Sequence, residues 1–152
     1  MRQSSVCKFH WITAFDTVDV DANGKAEEIL GEAPRRQRRD SIELFPNHYW
    51  PIGPDPKGQN NTGLSHKRIM DWVKSSCRRL GTNYVDLYQA QRDDLFTLLK
   101  EIMQAFADVV RSGKALYFDV SEWPAQDIRD ANGIADEVGI QLVSRQPEYS
   151  ML

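Results

Sequence analysis

Two carboxylates five positions apart, Asp16 and Asp21, stand with Asp19 between them at the acidic end of a short strand-like stretch. If Asp16 and Asp21 share a pocket with no cation between them, each raises the other's pKa, because like charges in a partly desolvated site disfavour double ionisation. A carboxylic acid kept protonated in this way can act as an acid. A second polar tip closes the stretch Tyr84–Arg92, where Gln91 can donate a hydrogen bond but cannot become cationic. The spacing Cys7-x-x-His10 is metal-like but lacks a partner pair, and His48 and His66 lie in unrelated surroundings, so no metal centre is expected. Neither a Gly-x-Gly-x-x-Gly turn nor a P-loop follows any strand-like stretch, which leaves nucleotide sites of those two kinds without support.

These groups need elements to position them. At 152 residues the chain has the length and composition of one globular domain. Its net charge of -3 gives no general attraction to nucleic acid or anionic membranes. The basic run at Arg35, Arg36, Arg38 and Arg39 is closed by Asp40 and reads as a solvated loop. No apolar run is long enough to span a bilayer and no signal-peptide core opens the chain. Two distant cysteines suggest reduced thiols, so a cytoplasmic protein is expected.

Residues 1–11 form an irregular lead-in, and residues 12–152 form the domain. Ile12–Val20 reads as a strand, Asn23-Gly24 as a turn, and Ala26, Ile29, Leu30 and Ala33 as one face of a helix stopped by Pro34. Ser41–Phe45 reads as a strand stopped at Pro46, and Pro51–Gly63 as a long loop. Ser65 is an N-cap for a helix carrying Ile69, Val73, Cys77 and Leu80, with Gly81 as its stop. After the strand Tyr84–Arg92, the positions Leu95, Leu98, Leu99, Ile102, Met103, Phe106, Val109 and Val110 predict the cleanest amphipathic helix. Ala115–Val120 predicts a strand buried on both faces. A helix starting at Pro124 and a strand ending at Gln146-Pro147 follow. Five strands alternating with helices, the last helix missing, imply parallel pairing with right-handed crossovers. This pattern leaves open a doubly wound sheet or part of a (β/α)₈ barrel.

The stretches Phe15-Asp16-Thr17, Asn23 to Gly31, Gly63-Leu64-Ser65-His66-Lys67, Arg79 to Tyr88, Gly113 to Tyr117 and Gln146-Pro147-Glu148-Tyr149 resemble the aldo-keto reductases. Within that family the chain is similar to bacterial members that are themselves similar to potassium-channel β-subunits. The resemblance covers about residues 12–152 and implies an α/β fold in which this chain supplies the second to sixth strands of a (β/α)₈ barrel. Such a barrel takes about 250 residues. Loops of the absent seventh and eighth units hold much of the cofactor in the family, so NADP(H) binding is expected to be weak or lost.

The resemblance also implies a catalytic tetrad for reducing a carbonyl substrate. Asp16 matches its Asp, while Asp21 stands at the Tyr position, Asn47 at the Lys position and Gln91 at the His position. Ser121 and Gln146 match residues that bind the nicotinamide carboxamide, with strand-end capping as the competing role. Glu122 stands where Asn or a basic residue is more usual, and Trp50 resembles the aromatic at the substrate mouth. Carbonyl reduction is therefore expected to be slow or lost. The alternative is a non-catalytic binding or self-assembly module, a homo-oligomer formed through the exposed edges of a partial barrel.

Overall fold

The computed structural model describes residues 12–18, 21–32, 38–50 and 62–148. In chain order the elements are β1 (Ala14–Val18), a 3-10 turn (Asp21–Gly24), α1 (Lys25–Glu32), β2 (Glu43–His48), α2 (His66–Leu80), β3 (Val85–Ala90), α3 (Leu99–Arg111), β4 (Ala115–Ser121), α4 (Ala125–Val138) and β5 (Leu142–Gln146). The strands pair in parallel in the order β1-β2-β3-β4-β5. This is an α/β fold consistent with part of a (β/α)₈ barrel. No helix among the described residues is long and apolar enough to cross a membrane.

The helices cover one face of the sheet. Phe118 of β4 stacks on Phe106 of α3 at 5.0 Å between ring centroids, and Tyr88 of β3 donates its hydroxyl to the Ile69 carbonyl of α2. The stripe Ile102, Met103, Phe106 and Val109 is almost fully buried, each large side chain contributing roughly 1.5–3 kcal/mol. Gly81 ends α2 with φ 66°, a left-handed conformation that a side chain would strain.

Five expectations need correction. β2 runs through Pro46, which is in register with Thr17 of β1. The Glu43 amide donates to Thr13 on the β1 side, so the amides of Leu44 and His48 and the nitrogen of Pro46 point towards β3. Leu44 gives its N–H to the Asp86 carboxylate at 2.8 Å, and the β2–β3 register is confined to Asn47↔Gln89 and His48↔Ala90. The missing donor of Pro46 therefore falls where no backbone ladder is built.

Arg39 is no solvated loop residue. It reaches the Asp86 carboxylate at 2.5 Å, donates to the carbonyls of Ile42 and Tyr84, and lies over the Tyr84 ring. In α1 the buried positions are Glu27 and Gly31, while Ile29 is 60% exposed. Gly31 is pressed so closely on α2 that an added Cβ would sit 2.4 Å from the Arg79 carbonyl oxygen.

The stretch before α3 is the fourth case. Asp94 accepts from the amides of Leu64 and Phe96 and from the Thr97 hydroxyl, which holds a turn in place of a first helical turn. Leu95, Phe96 and Leu98 are left exposed. β4 is also half open, with Leu116 and Tyr117 about half exposed, so it is not buried on both faces.

Candidate functional site

Alternation along the strands sends every second side chain away from the helices. Phe15, His48, Tyr88 and Phe118 face the helical side, as their packing shows. Asp16, Asn47, Gln89, Gln91, Asp119, Ser121, Ser144 and Gln146 consequently lie on the concave face. Register aligns Val18, Asn47, Gln89, Asp119 and Ser144 as one layer across all five strands. Neighbouring strands lie roughly 4.8 Å apart, so these side chains are immediate neighbours.

The layer is polar and mostly shielded. Asn47, Gln89 and Asp119 are 2%, 4% and 2% exposed. The side-chain oxygens of Asn47, Gln89 and Gln91 are buried with no hydrogen-bond donor among the described residues. Burial pushes the Asp119 carboxyl above the ordinary carboxylate range. The Val120 N–H at 2.7 Å and the Ser144 hydroxyl oppose that rise, and nearby Asp16 adds to it. Asp16 itself accepts a 2.8 Å hydrogen bond from the Gln146 side-chain amide.

The strand ends above this layer are tied together. Ser121 donates its one hydroxyl hydrogen to the Gln146 backbone carbonyl at 2.9 Å, and the Glu122 N–H reaches the same oxygen at 3.2 Å. Glu122 holds φ 56°, costly for a residue with a side chain, and its carboxylate pairs with Arg92 at 3.0 Å. Arg92 also lies 5.6 Å from the Trp50 ring, which packs edge-on against Tyr49. Trp50, Arg92 and Glu122 thus stand side by side at the mouth.

On the helical side is a buried network outside this face. Ser76 donates to Glu27 at 2.6 Å, so its oxygen must accept from His48 Nε2 at 2.8 Å, which assigns the imidazole hydrogen to Nε2. Arg79 closes the network on Glu27. Burial, assisted by the charges of Arg79 and Arg68, lowers the His48 pKa to about 3. These groups are sealed in the core and join α1, α2 and β2.

The structure therefore brings Asp16, Asn47, Gln91, Ser121 and Gln146 to one face and sets Trp50 at its edge. The Asp21 side chain, Cys7, His10 and the loop 51–61 lie outside the described residues. No cluster of three potential metal ligands occurs among the described residues. Gln89 and Asp119 share this face and are candidates the sequence reading missed. Their signal was a polar group inside an apolar strand, in Leu87-Tyr88-Gln89-Ala90 and in Leu116-Tyr117-Phe118-Asp119-Val120.

The profile of the aldo/keto reductase family matches residues 10–152. The chain is 40% identical over 148 residues to a probable voltage-gated potassium channel subunit beta of Arabidopsis thaliana, a match covering 95% of this chain and 44% of that protein. It is 36% identical over 142 residues to a putative voltage-gated potassium channel subunit beta of Schizosaccharomyces pombe, covering 93% and 41%. A probable subunit of the same description from Oryza sativa subsp. japonica is 34% identical over 148 residues, covering 95% and 44%. The chain thus spans less than half the length of these relatives.

Proposed function

The chain belongs to the aldo/keto reductase family, and from that premise we propose that it is a cytoplasmic ligand-binding member in which carbonyl reduction by the family's acid-base route is lost or very slow. One observation carries this proposal. Asp16 is hydrogen-bonded by a neutral carboxamide, Gln146, and Asn47 and Gln91 on the same face are neutral carboxamides too. A positioned acid-base group typically contributes about 10²–10⁴-fold in rate, and none of these amides can supply a transferable proton near neutral pH.

NADPH, when bound, would supply a hydride, and Ser121 and Gln146 are the residues that would hold its carboxamide. Ser121 has its hydroxyl hydrogen committed to Gln146, and Gln146 has one amide hydrogen committed to Asp16, so these two side chains leave a single Gln146 N–H to meet the carboxamide oxygen. Weak cofactor binding follows. Titration of NADPH against tryptophan fluorescence tests it, with no saturation expected below the millimolar range. Saturation in the micromolar range would overturn it.

A second proposal rests on Leu95, Phe96 and Leu98, which are 85%, 100% and 78% exposed beside one another at the strand-end side. Together with the edges of β1 and β5, they would suit self-association or a protein partner, as expected of relatives named as channel subunits. A light-scattering mass equal to one 17.5 kDa chain, unchanged by concentration, would count against self-association.

A further inference from the structure

The concave face holds buried side-chain oxygens that no donor among the described residues meets. Asn47 and Gln89 are more than nine-tenths buried, adjacent in register, and their oxygens meet no donor among the described residues. Gln91, just past the end of β3, adds a third such oxygen. Leaving a buried acceptor unpaired costs roughly 1–3 kcal/mol, so three together mark a place suited to an incoming donor. Two carboxylates, Asp16 and Asp119, border the same face, and no Lys or Arg side chain of the described residues pairs with either. Below this layer Phe45, Leu87 and Tyr117 line a cavity of about 300 Å³ that Glu43 and Asp86 also border.

Building on the reading of this face as a ligand site, we propose that it binds a small primary ammonium carrying an aromatic or alkyl body. The N–H donors meet the side-chain oxygens of Asn47, Gln89 and Gln91, Asp16 and Asp119 supply countercharge, and the apolar body rests towards Phe45, Leu87 and Tyr117. A primary ammonium has three donors and no acceptor, which matches the number of unmet oxygens on this face. Charge-assisted hydrogen bonds of this kind are roughly twice as strong as neutral ones.

Calorimetric titration of the full chain with benzylammonium chloride, benzyl alcohol and sodium benzoate separates the possibilities without any mutation. The expected result is saturable binding of benzylammonium at least about tenfold tighter than of the alcohol, and none of benzoate. Equal binding of the alcohol, preference for benzoate, or displacement of benzylammonium by equimolar potassium chloride would each overturn the proposal. In Asn47→Leu and Gln89→Leu, affinity for benzylammonium should fall about tenfold. Chains that bind benzylammonium yet reduce carbonyls with NADPH would sink the loss of catalysis and leave this inference standing. Chains that do neither would sink this inference alone.

Discussion

Gln146 at the end of β5 donates its side-chain amide to Asp16 of β1 at 2.8 Å, although 130 positions separate them. The first and last strands of an open five-stranded sheet can meet this way only if the sheet curls strongly. In an eight-stranded barrel, strands four steps apart face each other across the interior. The bond is therefore both a sign of barrel curvature and the reason Asp16 has an amide, and not a cation, as its partner among the described residues.

Asp119 should make the fold less stable as pH rises. Its pKa is raised by burial, so the folded state retains its proton at pH values where the unfolded chain has lost it. The associated stability is fully present below the ordinary Asp range and is lost as pH climbs through the raised value. Asp119→Asn should remove this dependence and stabilise the chain at pH 8 by about 1 kcal/mol, the size of a typical single-site effect. Urea unfolding at pH 4 and pH 8 checks it. A variant destabilised more at pH 8 than at pH 4 would show instead that the carboxyl is needed ionised.

His48 acts at the acid end. Its folded pKa of about 3 lies below the ordinary value of 6.5, so as pH falls the unfolded chain takes up a proton that the buried imidazole refuses. Stability from this group is present above about 6.5 and lost as pH falls towards 3, by up to about 1.4 kcal/mol per pH unit. Between pH 7 and 5 the native chain should lose about 2 kcal/mol more than His48→Gln, which keeps a donor near Ser76. Parallel acid losses in the two chains would contradict the assignment.

Glu27 is fully buried against Arg79 and Ser76, and removing it strands a guanidinium that is itself largely covered. Glu27→Ala should cost about 3–5 kcal/mol, and Glu27→Gln less, because Ser76 keeps an acceptor. Gly31→Ala, one turn along the same face, should also destabilise by several kcal/mol through its clash with the Arg79 carbonyl. Denaturant midpoints measure both. A loss under about 1 kcal/mol in Glu27→Ala would show that this buried pair does not tie α1 to α2.

Much of the fold was legible in the sequence because β3 and its flanking helices follow a single rule. Apolar stripes such as Ile69-Val73-Cys77-Leu80 and Ile102-Phe106-Val109 have helical spacing, and Gly81 and Gly139 stop their helices in left-handed conformations. The misreadings occur where tertiary contacts override local pattern. Glu27 is buried because Arg79 and Ser76 meet it, so hydrophobic periodicity pointed to Ile29 instead. Pro46 stays in a strand because Asp86, 42 residues beyond Leu44, takes over ladder bonding there.

The site was half legible. Gln91, Ser121 and Gln146 stand at or just past strand ends, where alternating α/β chains keep polar groups, and Asp16 sits at the middle of the short β1. Gln89 and Asp119 lie deeper, and it takes the register of three strands to place them beside Asn47.

The most direct measurement of the central claim follows NADPH oxidation by the full chain in the presence of an activated aldehyde such as 4-nitrobenzaldehyde. The expected result is no rate above the protein-free control at saturating aldehyde and millimolar NADPH. Turnover on the order of 1 s⁻¹ or faster, within the ordinary enzymatic range, would contradict the claim that neutral carboxamides at Asn47 and Gln91 have ended the family's chemistry in this chain.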